Sequence, residues 1–147
     1  MTLTRFSDYS LRILMFAALQ NDRRFSVDEV AAAYRLSRHH TAKAVNFLTR
    51  NGYLRAQRGP GGGICLGRLP EEISLGELVR RTEKGAPLVE CFDAATNTCP
   101  IIQACVLKQA LAKAWAAFFH TLDEYTLADL VGKPDPLRRV FDLNLAG

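Results

Sequence analysis

Cys91, Cys99 and Cys105 lie in one short stretch with the spacing C-x7-C-x5-C. Three soft ligands this close in sequence can grip one soft metal centre, and an iron–sulfur cluster is the chemistry these residue types favour. Three is one short of a full ligand set, so a fourth ligand has to come from elsewhere. Structural zinc sites usually show C-x2-4-C pairs and four ligands, and neither is present. A disulfide is disfavoured by the odd count and by a reducing compartment. A cysteine nucleophile needs a base nearby, and no histidine lies inside the stretch. Three unrelated buried thiols stay open as the plainer alternative. Cys65 stands apart, between Ile64 and Leu66, as an ordinary packing residue.

The elements that must position these thiols belong to a chain of 147 residues, 48% hydrophobic and 23% charged. That balance is the one expected of a globular protein able to build a core without staples. Residues 1 to 20 lack a signal-peptide layout, because the apolar run Ile13 to Leu19 is bounded by Arg12 and Gln20. No run approaches the roughly 20 apolar residues that span a bilayer. The expectation is a cytoplasmic protein without membrane partners. No cofactor fingerprint or catalytic dyad is visible, which argues against an enzyme.

Charge is divided unevenly. Residues 1–70 hold eleven Lys and Arg against four Asp and Glu, whereas residues 71–147 hold eight against eleven. A basic first half implies that this half meets a polyanion. Ser7 is placed to cap a helix running to about Gln20, with Leu11, Leu14, Met15, Ala18 and Leu19 on its apolar side. Ser26-Val-Asp-Glu29 reads as a capping box that opens a short helix to about Tyr34. Ser37 caps a third helix, Arg38 to about Asn51, whose buried side is Ala42, Val45, Phe47, Leu48 and the stem of Lys43. A short helix, a tight turn and a cationic helix make the helix-turn-helix pattern. Its candidate DNA contacts are Ser37, Arg38, His39, His40 and Lys43.

Two short strands around Arg58-Gly59-Pro60-Gly61-Gly62-Gly63 form a hairpin, placed as a wing. There Arg58, Gly61 and Gly62 are the candidate contacts with the DNA backbone or minor groove. Ser74-Leu-Gly-Glu77 is a second capping box. From Ala104 to about Glu124 runs a long helix with an apolar stripe of Leu107, Leu111, Ala114, Trp115, Phe118, Phe119 and Leu122. Such a stripe needs cover, from the rest of the domain or from a second copy of the chain. The fold class is therefore mainly α with a small β-hairpin wing. The divisions are 1–70 for the winged helix-turn-helix, 71–85 for a connecting helix and 86–103 for the cysteine loop. A dimerisation helix and following turn take 104–131, and a loosely held tail takes 132–147.

The motifs together resemble the winged-helix iron–sulfur repressors of bacteria, a family with IscR-like, NsrR-like and RirA-like branches. The matching stretches are Leu3 through Arg12, Arg58 through Gly63, Cys99-Pro100-Ile101 through Cys105, and Tyr125 through Val131. The resemblance covers nearly the whole chain. It implies a homodimer held by the long helix, two winged domains on a palindromic double-stranded operator, and a cluster in each subunit on Cys91, Cys99 and Cys105. A four-iron, four-sulfide cluster is expected in preference to a two-iron one. The fourth ligand separates the branches. In the IscR-like branch it is a histidine three residues after the last cysteine, where Lys108 stands here. In nitric-oxide-sensing NsrR-like proteins it is an aspartate of the first helix reaching from the other subunit, and Asp8 stands at that position. Asp8 also sits where a carboxylate favours the helix dipole by ~0.3–1 kcal/mol. The cysteine spacing and Cys91-Phe92 resemble the iron-responsive RirA-like branch. Asp8 and the Leu-Lys-Gln-Ala-Leu run after Cys105 resemble the NsrR-like one. The resemblance implies a repressor that nitric oxide releases from DNA. The alternatives are a repressor that answers to iron or cluster status, and a winged-helix protein with structural zinc.

Overall fold

In a computed structural model describing residues 2–85 and 87–145, helix α1 spans Arg5–Leu19 and starts earlier than Ser7. The Thr4 hydroxyl, not that of Ser7, caps it by accepting the Ser7 amide at 3.2 Å. Ile13, Leu14, Phe16, Ala17 and Leu19 are buried, while Leu11, Met15 and Ala18 are only half-buried. The buried face is broader than the expected stripe because α1 is covered from several sides. Its neighbours include α2 (Val27–Tyr34), α3 (Arg38–Arg50), α4 (Leu75–Thr82) and α6 (Leu127–Leu130).

The capping box of Ser26 and Glu29 forms in both directions and starts α2. Arg35 ends α2 in the left-handed region at φ 54 and turns the chain into α3. Ser37 stands at the cap of α3, but its hydroxyl makes no capping bond. Its carbonyl accepts both the amide and the hydroxyl of Thr41 at 2.9 Å. The buried residues of α3 are Thr41, Ala44, Val45 and Leu48. The core face is thus rotated from the expected one: Ala42 and Phe47 are half-buried and Lys43 is exposed.

Strands β1 (Leu54–Gln57) and β2 (Gly63–Leu66) pair antiparallel, with Leu54 opposite Leu66 and Gln57 opposite Gly63. Phe25, in the stretch between α1 and α2, adds a short third rung. Its amide reaches the Ile64 carbonyl at 2.9 Å, and the Ile64 amide reaches the Phe25 carbonyl at 2.8 Å. The wing is therefore tied to the core from both sides. Phe16 lies against Phe25, with ring centroids 5.2 Å apart and edge to face.

The Ser74 hydroxyl caps α4 by accepting the Glu77 amide at 3.3 Å. The Glu77 side chain turns away to Arg81 and the Tyr53 hydroxyl, so only half of the expected second box is built. The long helix is α5, Val106–Asp123. Phe119 is its one buried residue; Leu111, Trp115, Phe118 and Leu122 are half-buried, and Val106 and Leu107 are exposed. Arg80 on α4 grips its far end, pairing with both oxygens of Asp123 at 2.6 Å and lying 4.7 Å over the Phe119 ring.

The tail is not loose. Pro134–Leu145 form a helix, α7, which packs on α2. Proline at the start of a helix costs nothing, because the amide it lacks would be unpaired there anyway. Phe141 enters the core beside Phe16 (5.5 Å) and Tyr34 (5.0 Å). Arg138 donates to the Leu19 carbonyl at 3.2 Å and to Asn21 Oδ1 at 2.7 Å, closing the end of α1. Burying one phenylalanine contributes about 1.5–3 kcal/mol. Met1, Ala86 (where the cysteine loop was expected to begin), Ala146 and Gly147 lie outside the described residues. No helix among the described residues is long and apolar enough to cross a membrane.

Candidate metal centre and nucleic-acid interface

The three thiols sit on one tied but irregular loop. Cys91 lies in a single 3-10 turn, Glu90–Phe92, Cys99 comes later in the loop, and Cys105 is the N-cap of α5. Glu90 Oε1 accepts the Thr98 amide at 2.5 Å and the Thr98 hydroxyl at 2.6 Å. Those bonds hold the Glu90 carboxyl below the usual carboxylate range. The clamp joins residues 90 and 98, and each is the immediate neighbour of a cysteine. Asp93 folds the intervening turn by accepting the Ala95 amide (2.9 Å) and the Thr96 hydroxyl (3.0 Å). Asn97 Oδ1 accepts the Cys99 amide at 3.2 Å. Cys105 Sγ accepts the Lys108 amide at 3.3 Å, so the thiol sits at the first turn of α5.

All three cysteines are free and half-buried. Their chemistry fits an iron–sulfur group: three unpaired soft donors on one loop, with no histidine among them. Cys91 faces a cavity of about 960 Å³ together with Glu83, Phe92, Lys108, Trp115 and Phe119; Cys99 and Cys105 do not line it. Among the described residues, no three His, Cys, Asp or Glu side chains converge on one point. The single chain therefore shares the thiols on a loop without closing them into a cage. Asp8 is not brought to them within one chain. It lies in the first turn of α1, its Oδ1 2.8 Å from Arg12 Nε, with the side chains 43% and 42% exposed.

One polar junction joins the two halves outside the expected site residues. Glu83, at the end of α4, accepts the Thr4 amide at 2.8 Å, the Thr4 hydroxyl at 2.9 Å and the Ser7 hydroxyl. Ser7 also lies 2.7 Å from the Thr82 hydroxyl and is fully buried. Glu83 lines the Cys91 cavity as well. One carboxylate thus touches both the start of α1 and the cysteine loop's surroundings. The signal was present in the sequence: Ser7, Ser10, Leu14 and Ala17 keep helical spacing, and a serine on an apolar face needs a polar partner.

The cationic surface is built by α3 and the wing. Ser37, Arg38, His39, His40 and Lys43 are all exposed, while Thr41, Ala44, Val45 and Leu48 fix that face by their burial. Arg38 is paired with Asp28 of α2, but at 71% and 67% exposure the pair is weak and exchangeable for a phosphate. The His39 and His40 rings meet edge to face at 5.6 Å, and Tyr9 of α1 stands 6.4 Å from His40. Arg58 is exposed just past β1. In the wing turn the Gly62 amide donates to the Gly59 carbonyl at 2.9 Å, and Gly61 has φ +72. A Cβ on Gly62 would overlap the Gln57 and Gly59 carbonyls, so the turn itself demands glycine there.

A family profile described as "Rrf2: Iron-dependent Transcriptional regulator" matches residues 3–133. The HTH-type transcriptional regulator NsrR of Shouchella clausii is 45% identical over 139 residues, 94% of this chain and 93% of that protein. The HTH-type transcriptional regulator NsrR of Bacillus subtilis is 42% identical over 144 residues, 97% of this chain and 99% of that protein. Among solved structures, T. potens IscR superposes with a TM-score of 0.71 over 90% of this chain and 87% of that one. Its sequence identity of 20% makes that a likeness of fold alone.

Proposed function

Because the chain belongs to the Rrf2 family of iron-dependent transcriptional regulators, we propose that it is a cytoplasmic repressor whose cluster, held by Cys91, Cys99 and Cys105, couples operator binding to nitric oxide. The observation that carries the cluster reading is the loop itself, with three free thiols and clamped by Glu90 and Thr98. The similarity to relatives named NsrR supports the NsrR-like branch. Such relatives are transcriptional regulators, and this chain is a regulator, not an enzyme.

Residues 1–70 read DNA, 71–85 connect, 86–103 carry the cluster, and 104–131 pair two copies into a homodimer. The lack of cover on α5 supports that pairing: of its apolar stripe only Phe119 is buried in the single chain. Two copies present two copies of α3 to a palindromic operator. Ser37, Arg38, His39 and His40, at the start of α3, face base edges and phosphates in the major groove. Arg58, Gly61 and Gly62 track the backbone beside it.

When bound, the cluster, of four irons in this reading, supplies iron that reacts with nitric oxide. Asp8 from the partner subunit would supply the fourth ligand, a carboxylate being harder and weaker than a thiolate. An Asp8 that holds no iron would keep Arg12, the partner it has in the single chain. Glu83 ties the loop's surroundings to the start of α1, so a rearrangement at the loop is felt by the helix on which α3 rests. A dimer with two arrangements of its recognition helices, biased by Asp8 and Glu83, is the switch.

The test is anaerobic titration of reconstituted protein with nitric oxide or with an iron chelator, read by absorbance and by gel shift. The expected result is stepwise operator release by nitric oxide while chelation over the same period leaves the complex intact. Release by chelation alone favours the second reading, a repressor of the iron-responsive kind, which the family's iron-dependent description supports. Retention of the operator through complete nitrosylation rules out nitric oxide sensing. For the DNA face, Lys43→Ala is expected to weaken all DNA alike and to reduce the salt slope of binding by about 1. A slope equal to that of the parent protein removes Lys43 from the phosphate contacts.

A further inference from the structure

A groove between α1, the end of α2 and α7 is lined by neither the cysteines nor the exposed residues of α3. Its volume is about 510 Å³, within the range of small-molecule sites. Met15, Leu137, Phe141 and the Tyr34 ring form apolar walls, and Arg12 and Arg35 supply two positive charges. Arg12 uses only Nε on Asp8, and its guanidinium carbon lies 5.8 Å from the centre of the Tyr34 ring. Its terminal nitrogens, and those of Arg35, have no hydrogen-bond partner among the described residues. The Tyr34 hydroxyl is buried and likewise unpartnered. Burial pushes its pKa up to about 12, so it remains a donor at neutral pH. A buried donor left without an acceptor is uncommon, because it forfeits its solvation with nothing in return.

We propose that this groove binds a small organic carboxylate with an apolar tail. The guanidinium groups offer forked donors that match a carboxylate, and such charge-assisted bonds are stronger than those to a neutral group. The walls take the tail. An amine of the same length meets repulsion, and an alcohol leaves Arg35 without a counter-charge, Arg12 keeping that of Asp8. The site also has a lever. Arg35 is the left-handed residue that turns α2 into α3, so a ligand holding it acts on the seat of the recognition helix.

The probe is decanoate, titrated below its micelle concentration into the full-length protein, kept anaerobic and monitored by calorimetry. Saturable binding of one decanoate per chain is expected, with decylamine and decanol at least tenfold weaker. Arg35→Glu is expected to weaken decanoate at least tenfold while the protein stays folded, with only a small fall in thermal midpoint from the carboxylate at the C-terminal end of α2. Tyr34→Phe is expected to weaken it severalfold while leaving the protein as stable or more so, since it removes an unpartnered buried hydroxyl. Equal binding of decylamine, unchanged affinity in Arg35→Glu, or no saturable binding overturns the proposal.

Discussion

Phe16→Ala is expected to lower the unfolding free energy by about 3–5 kcal/mol, read from the urea midpoint at constant m-value. Phe16 is fully buried and joins three parts of the chain that are distant in sequence. It belongs to α1, meets Phe25 at 5.2 Å beside the wing, and meets Phe141 of α7 at 5.5 Å. Both contacts are edge to face, and each such pair contributes about 0.5–1.5 kcal/mol beyond its buried area. Alanine leaves a hole with walls on three elements, none of which can collapse inward without dragging its helix or strand. Domains of this size are stable by only about 5–15 kcal/mol, so the variant is expected to lose operator binding on modest warming. A loss below about 1.5 kcal/mol would mean that α7 moves to fill the space, and would remove it from the core.

Gly76→Ala is expected to destabilise the protein by about 1–3 kcal/mol, against the usual preference for alanine in helices. Gly76 lies in the first turn of α4, where α5 passes closely. A Cβ there would overlap the Asp123 carboxylate, with Asp123 Cγ at 2.8 Å and the Asp123 amide nitrogen at 3.0 Å. To make room, Asp123 must leave the paired hydrogen bonds that Arg80 gives it, bonds that now hold its carboxyl below the usual range. Arg80 then loses its fix over Phe119, and α5 loses its one buried anchor. Near-ultraviolet circular dichroism should report the change through Trp115, whose ring lies 4.9 Å from Phe119. The cycle with Asp123→Ala decides the cause. In that background the same glycine replacement should cost less than about 1 kcal/mol. An undiminished penalty would put the clash on the backbone instead.

Local signals in the sequence carried the helix-turn-helix and the wing because their causes are local. The capping box at Ser26, the cationic run from Arg38 and the glycines after Arg58 each act within a few residues. What stayed hidden depends on distant partners. Phe25 pairs with Ile64, which no local pattern announces. The tail with Pro134 and Pro136 was expected to be loose, yet proline belongs at a helix start, and Phe141 declares itself only once Phe16 is known to be uncovered. Ser7 was the expected cap of α1, but Thr4 takes that place, and the Ser7 hydroxyl goes instead to Glu83 and Thr82, far along the chain. The cysteines read as a set from their spacing, and the single chain places them on one loop without converging them. The bonds that tie their loop, from Thr98 to Glu90 and from Lys108 to Cys105, were not legible in the sequence. Asp8 could be named as a fourth ligand only through resemblance, because in one chain its neighbour is Arg12.

The return of α7 to the first helices also sets an order of events at the ribosome. The wing ends at Leu66, but the core beneath it waits for Phe141, about 75 residues later. At ~5–20 residues per second, that interval is roughly 4–15 s. Until then the nascent chain carries a cationic helix-turn-helix whose apolar underside is still open. A chain cut short by premature termination therefore keeps the exposed cationic face of α3 and lacks Phe141 beneath it. Such fragments are expected to compete poorly for an operator.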